Sequence, residues 1–570
     1  MRRMVLSLRT ARYLRWTQLL AMARRALEEQ GRREPGPRGW DHDRARIVAQ
    51  ALRSVGPVDE PHSVRRRTDA WRRGSVEMLG ERHPAPTTWL ESPPSPLWGY
   101  HLQYHDLLAE AAWVADVDAD TDLAQQIKDS LESWFSAWGR GGTPAWDAYP
   151  ISVRSVNWIR ILAMSQIDAA MKARLEAALA DQIATLRRNI ELHLQANHLL
   201  RNAWALAIAP WCLSDPHGSA WAIEGAKLYW RLLLEQVAPD GVHEERTPMY
   251  HARVLRDALE VIAVHDALGT DVPPECRARV ATMAHALRWM RHPNGALRLI
   301  NDSAGDHGVD LGRLEELATM LCSARKGPPA GLWYPPAARF VSVRDNERSD
   351  ALFVDVGGAA PPHQPGHTHA GALGFELDID GLPFIIDAGC SGYEGDEWRS
   401  YFRGTAAHNT VMIDGRDQSE MWATFRVARR ARVQAERVMG DVRSCVIEAS
   451  CRPYHRRAAA HHRQISREGR TITVADRVDG ADDVMVKGFL HFDPGWSFES
   501  TNRSLVARQS TSLVTIAIDG PVRWALHRGQ LSPPCGWFSP TFGKVGPTYT
   551  LVVESPPGSV HAWRAIITPG

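Results

Sequence analysis

Lysine is nearly absent from this 570-residue chain: only six of its 67 basic residues are Lys, and the rest are Arg. The bias runs through the whole length, as GC-rich coding would produce, and it also supplies planar guanidinium forks suited to carboxylates and sulfates. An excess of charge of one sign is lacking too. Lys+Arg at 67 against Asp+Glu at 66 leaves a net charge of +1, without the global basic excess that nucleic-acid binding requires, so no nucleic-acid partner is expected. No stretch approaches ~18 uninterrupted apolar residues, so no membrane span is expected. Cysteine is sparse: the seven Cys form no CxxC pair and are odd in number, which argues against a disulfide framework and for a reducing compartment. At 44% hydrophobic and 23% charged, the composition also excludes disordered, collagen-like and coiled-coil chains. At roughly 150 residues per domain the length implies two to four domains.

The first thirty residues, MRRMVLSLRTARYLRWTQLLAMARRALEEQ, are basic with apolar patches, but Arg interrupts every run before it reaches the length of a signal-peptide core. A cytoplasmic location is therefore expected, or a periplasmic one if export is non-classical. The stretch reads as an amphipathic helix docked on the protein's own surface, with a membrane surface as the alternative.

Apolar residues recur at helical spacing over 105–116, 122–138, 151–165, 171–194, 197–212, 218–237, 250–267, 275–291 and 311–324. Sixteen of the 22 Trp fall at or before Trp333, where flat rings either stack on sugar faces or pack between helices. After KGPPAGLWYPPAARF the pattern changes to short alternating segments such as ALFVDVGG, ALGFELDIDGLPFIIDAG and RTITVADRVDG, separated by turn signals. Strands without intervening helices predict an antiparallel sandwich. The reading is thus a basic helical extension over 1–84 with no assignment, a helical domain over 85–330 and a β domain over 339–570. Their boundary is the natural place for a ligand cleft.

Residues 363–422 gather His363, His367, His369, Asp387 and His408 in a β-rich region. On a strand, residues two apart share a face, so His367 and His369 could serve one site, and imidazoles with one carboxylate suit zinc. A chain with 24 His also produces such triplets by chance. Asp387 ends the apolar run LPFIID, where a carboxylate needs a partner or a metal.

The run HTHAGALGFEL, then IIDAG, then RSYFRGTAAHNTVMIDGRDQSEMW resembles the heparinase II/III-like polysaccharide lyases, as do LWGYHLQYHDLL, AYPISVRSVNWIR, QANHLLRNAWALA and DGVHEERTPMYHARVLRDALE upstream. The resemblance spans roughly 85–570 and implies an incomplete (α/α) toroid followed by an antiparallel β-sandwich. It further implies cleavage of an anionic, uronic-acid polysaccharide, alginate and exopolysaccharides among the candidates, by β-elimination. Asn197 and His198 then meet the substrate carboxylate, Tyr250 is the catalytic tyrosine, and His367 faces the cleft as a catalytic residue. One structural Zn2+ is implied on His369, Asp387 and His408, with Cys390 a small core residue.

Sugar contacts are expected from Tyr149, Arg154, Asn157, Arg201 and Glu245, while Arg399 and Arg403 fit either the cleft or an ion-pair network of the sandwich. Arg246, His243 and His251 are the cationic neighbours of Tyr250 by sequence proximity. Arg201, Gly371 and Gly374 depart from the family pattern, which usually has an acid, Asp and Ser there. The competing readings are a non-catalytic glycan-binding or exopolysaccharide-assembly protein on the same scaffold, and a glycoside hydrolase, which would need two carboxylates across the cleft. The oligomeric state is not legible in the sequence.

Overall fold

The computed structural model describes residues 2–26, 32–57, 59–164, 166–305, 309–327, 329–501 and 504–570. Helices run from the N-terminus to Leu311–Cys322, and strands dominate from Gly331–Trp333 onward. The helices Asp106–Asp118, Thr121–Trp138, Ala148–Leu162, Ala169–Arg188, Ala196–Ile208, His217–Gln236, Pro248–Leu268 and Pro274–Trp289 wind as antiparallel neighbours around one large apolar core. This is the toroid. His42–Val55 and Pro61–Arg72 belong to it as well: Val48, Leu52, Val55, Val64 and Trp71 pack into the same core. The helical body therefore starts well before residue 85.

Side chains alternate between more and less buried along strands such as Ser444–Arg452 and Thr471–Asp479, whereas Phe340–Asp345, Asp350–Asp355 and Phe375–Ile379 are buried on both faces. Among the described residues three larger antiparallel sheets result, beside two-stranded ribbons. A five-stranded sheet runs in sequence order from Gly331–Trp333 through Phe340–Asp345, Asp350–Asp355 and Phe375–Ile379 to Leu382–Ile385. An eight-stranded sheet, centred on Thr471–Asp479 and Ala562–Pro569, packs its apolar face on the first. A four-stranded sheet carries Val411–Ile413 at its edge.

Two segments of the helical half lock the domains together. The loop after Pro274–Trp289 lays Arg298 between Glu376 and Asp378 of the β domain, both at 2.7 Å. The hairpin Ser75–Met78/Glu81–Pro84 reaches Phe542 of the β domain, which is buried in the toroid's core. Gly80, at φ +74°, forms the hairpin tip, where a Cβ would lie 1.6 Å from the Phe542 carbonyl oxygen. Only glycine fits there.

Candidate active site

Tyr250 stands in the first turn of Pro248–Leu268, a helix that starts with Pro where its missing N–H costs nothing. Its hydroxyl is 2.9 Å from the Tyr393 hydroxyl of the β domain. Its ring stacks on His367, with centroids 4.1 Å apart. Burial pushes the Tyr250 phenol above its ordinary pKa, against the opposing pull of Arg253 and the bond to Tyr393, so the resting group is protonated.

The neighbours expected by proximity lie elsewhere. Arg246 is tied to Asp355 and the carbonyl of Ala338; His251 meets the Met283 carbonyl at 2.9 Å. His243 is buried against Gln236, and burial pushes it down to about 3. Arg246 and His243 precede the helix, in a turn where Arg246 has a positive φ, so helical spacing does not govern them, and His251, the next residue on the helix, leaves the face of Tyr250. The cation near its ring is Arg253, one turn on, 5.9 Å from the centroid.

Asp302 is the hub that the sequence did not disclose. It comes from the helical half and accepts from His367 Nδ1 at 2.9 Å and His369 Nε2 at 2.8 Å, one on each oxygen. Arg399 forks onto the same carboxylate, with Nη2 at 2.9 Å from Oδ2. Burial would raise this acid, but Arg399 and the two imidazoles hold it well below the usual carboxylate range. Fixing Nδ1 of His367 as the donor leaves Nε2 with its lone pair.

Across the site, Asn197 and His198 occupy the first turn of Ala196–Ile208, whose N-terminus carries partial positive charge. His198 Nδ1 lies 3.2 Å from Glu191 Oε1, and its side chain is 40% exposed. Burial pulls this imidazole down, but the Glu191 carboxylate outweighs it and leaves the pKa raised. Tyr149 packs on the His198 ring at 4.7 Å. Glu245 is buried, lies 3.4 Å from the Asn197 amide and interacts electrostatically with both His198 and His367. Burial raises its pKa, and its Oε2 has no hydrogen-bond partner among the described residues.

A cavity of about 180 Å³ continues from Tyr149 into the toroid, lined by Asn157, Arg160, Arg201, Arg253 and Asp257 among others, and reaching Leu79 and Phe542. Its charges are matched: Arg201 pairs with Asp257, and Arg160 with Glu260 at 2.7 Å. Asn157 spends its amide on Asp106 and the Tyr104 carbonyl, so it presents a fixed rather than a free group.

Three expected substrate contacts are structural instead. Arg154 is fully buried and bonds Gln182 and the carbonyls of Gln103 and Ala145. Arg399 is used by Asp302, and Arg403 by the carbonyls of Ala423 and Thr368. His363 packs near Glu244, at 3.9 Å, away from the other histidines.

His369 belongs to one close group of metal-ligating atoms among the described residues and neighbours a second histidine–carboxylate pair. Asp302, His369 and Cys390 place one ligand atom each within 4.8 Å of one another. On the other side, His408 Nδ1 meets Asp387 Oδ2 at 2.7 Å, and the rings of His369 and His408 are 5.3 Å apart. His369 Nδ1 and His408 Nε2 are both buried without a hydrogen-bond partner among the described residues. A small cavity bounded by His369, Gly371, Glu376, Asp387 and His408 lies there. Gly371 is required by it: a Cβ would sit 2.7 Å from Cγ of His408.

Solved structures similar to this one over most of the chain include two lyases. Heparinase III matches with a TM-score of 0.71 at 15% identity, covering 87% of this chain and 80% of its own. A mutant of the heparan sulfate lyase HepC from Pedobacter heparinus matches with a TM-score of 0.63 at 17% identity, covering 92% and 87%. No curated protein is significantly similar in sequence. Residues 146–323 match the heparinase II/III N-terminus and 327–564 the heparinase II/III-like C-terminal domain. Together these matches take in most of the chain, which belongs to the heparinase II/III-like family and has the fold of a polysaccharide lyase.

Proposed function

We propose that the protein is a lyase that cleaves an anionic, uronate-containing polysaccharide by β-elimination at the boundary between its domains. The observation that carries this reading is Tyr250, protonated and bonded to Tyr393, stacked on an imidazole whose far nitrogen is held by Asp302. Removal of H5 from a uronate leaves charge on the neighbouring carboxylate, so donors aimed there contribute most. Asn197 and the Glu191-paired His198 sit at a helix N-terminus and supply them. His367 Nε2 takes the C5 proton, and the electron pair becomes the C4=C5 bond. The C4–O bond breaks, and Tyr250 gives its proton to the departing oxygen. The fixed Asn157 and the paired Arg201 shape the walls of the cleft.

A zinc ion fits His369, Asp387 and His408, because two buried imidazole nitrogens there have no hydrogen-bond partner among the described residues. The Asp302–His369–Cys390 group fits less well, since Arg399 already places a cation on Asp302. When bound, the ion would supply cross-linking of the β domain rather than acid–base chemistry. The test is incubation with alginate, heparan-type, hyaluronan-type and bacterial exopolysaccharide polymers while ultraviolet absorbance is followed. An unsaturated uronate product supports the reading; reducing ends without unsaturation would favour hydrolysis, and no product from any polymer would favour a glycan-binding role.

A further inference from the structure

The N-terminal helices Arg2–Ala11 and Trp16–Arg25 form a strap over both domains. Arg9 bonds Glu420 at 2.8 Å, and Trp422 donates to Thr10 at 3.1 Å, both in the β domain. Arg15 donates to Gln195 at 3.2 Å and Gln18 to the His193 carbonyl at 3.5 Å, both on the toroid.

The strap buries little of its apolar surface: Leu6 is the buried apolar side chain of the first helix. In the second helix the polar Gln18 is fully buried, whereas Trp16 is 71% and Leu20 61% exposed, with Leu19 beside them. In the first helix Met4 is 62% and Leu8 66% exposed, with Val5 between them. The spacings 4, 5, 8 and 16, 19, 20 each put these side chains on one helical face. Residues 1–26 also contain seven Arg and no Asp or Glu. An apolar face of Trp, Leu and Met within a purely basic segment has the chemistry of a helix lying in a bilayer interface. A second copy is the poorer occupant, because a two-fold contact would bring the same arginines face to face. No helix among the described residues is long and apolar enough to cross a membrane, so the contact is peripheral.

We propose that this strap docks the protein on the surface of an anionic phospholipid bilayer, with Met4, Leu8, Trp16 and Leu20 entering the acyl boundary and the exposed Arg3 and Arg12 meeting the headgroups. Gln195, which the strap grips, stands two residues before Asn197, so docking holds the rim of the cleft at the membrane surface.

The test is co-sedimentation of the full chain with vesicles of phosphatidylcholine mixed with phosphatidylglycerol, and of phosphatidylcholine alone. Binding to the mixed vesicles should be tighter by about tenfold or more and should weaken as salt rises. Leu8→Ser/Leu20→Ser should lower that binding by about tenfold or more. Circular dichroism melting should be unchanged, since both side chains are already exposed. Equal binding by the variant, equal binding to both lipids, or no binding would overturn the proposal. So would a dimer on gel filtration that the variant dissociates without any vesicle binding, which would assign the face to a second copy.

Discussion

Asp302 holds His367 and His369 on its two carboxylate oxygens, at 2.9 and 2.8 Å, and thereby ties a loop of the helical half to the β domain. One oxygen orients the imidazole beside Tyr250. The other orients the imidazole beside His408 and Asp387. A single buried acid thus links the Tyr250 end of the site to its candidate metal end, and Arg399 keeps that acid ionised.

Removing Arg399 should therefore act through Asp302. Arg399→Met leaves a buried carboxylate without its guanidinium partner, which costs about 3–5 kcal/mol. Urea unfolding should show that loss, and an unchanged midpoint would mean that the two histidines suffice for Asp302.

Stability should also carry a signature of Glu244. Burial, with the neighbouring Glu245, pushes its pKa up to about 8. The folded state then holds a proton that the unfolded chain has released above the ordinary Glu value, so this group's contribution falls as pH rises from about 4.5 toward 8. Glu244→Gln should remove that slope: the variant should gain in urea midpoint relative to the wild type at pH 8 and not at pH 4. Parallel curves for the two proteins would show that Glu244 titrates normally.

At the metal end, protein purified without added metal should carry about one equivalent of zinc. Gly371→Ala should displace the His408 ring and lose most of that metal, and His369→Ala should lose it and melt earlier. Retention of the full equivalent in both variants would place the ion elsewhere.

Many helices and strands were legible from a periodic apolar face, others, such as Phe340–Asp345 and Phe375–Ile379, are buried on both faces, and the long helices of the toroid start and stop within a few residues of the apolar period. The stretch 171–194 differs: the helix ends at Arg188, with no Gly or Pro to announce it. What shapes the following turn is distant, the Glu191 amide donating to Asn202 at 2.7 Å and Gln195 and Ala196 adopting positive φ. Arg154 was misplaced by nearness to Tyr149, although helical period sends it to another face. Tyr149, Val153, Asn157 and Arg160, which follow that period, all line the cleft. Asp302 was hidden for a different reason, because it lies in an irregular loop and its partners come 65 and 67 residues later. Tyr393 lies within residues 363–422 but between the quoted family runs, and only the fold brings it to Tyr250.

Carboxylate recognition can be separated from proton transfer. Asn197→Ala should lower kcat more than it raises KM, because its contact strengthens as charge moves onto the carboxylate. A rise in KM alone would make Asn197 a ground-state binding residue.

The most direct test of the account is the rate of unsaturated-uronate formation by Tyr250→Phe on whichever polymer the wild type cleaves. One hydroxyl is removed and the ring that stacks on His367 is kept, so the fold should melt as before. Positioned acid–base groups contribute ~10²–10⁴-fold, and turnover should fall by that factor. Full activity in Tyr250→Phe, or a wild-type product without the C4=C5 bond, would contradict the proposed chemistry.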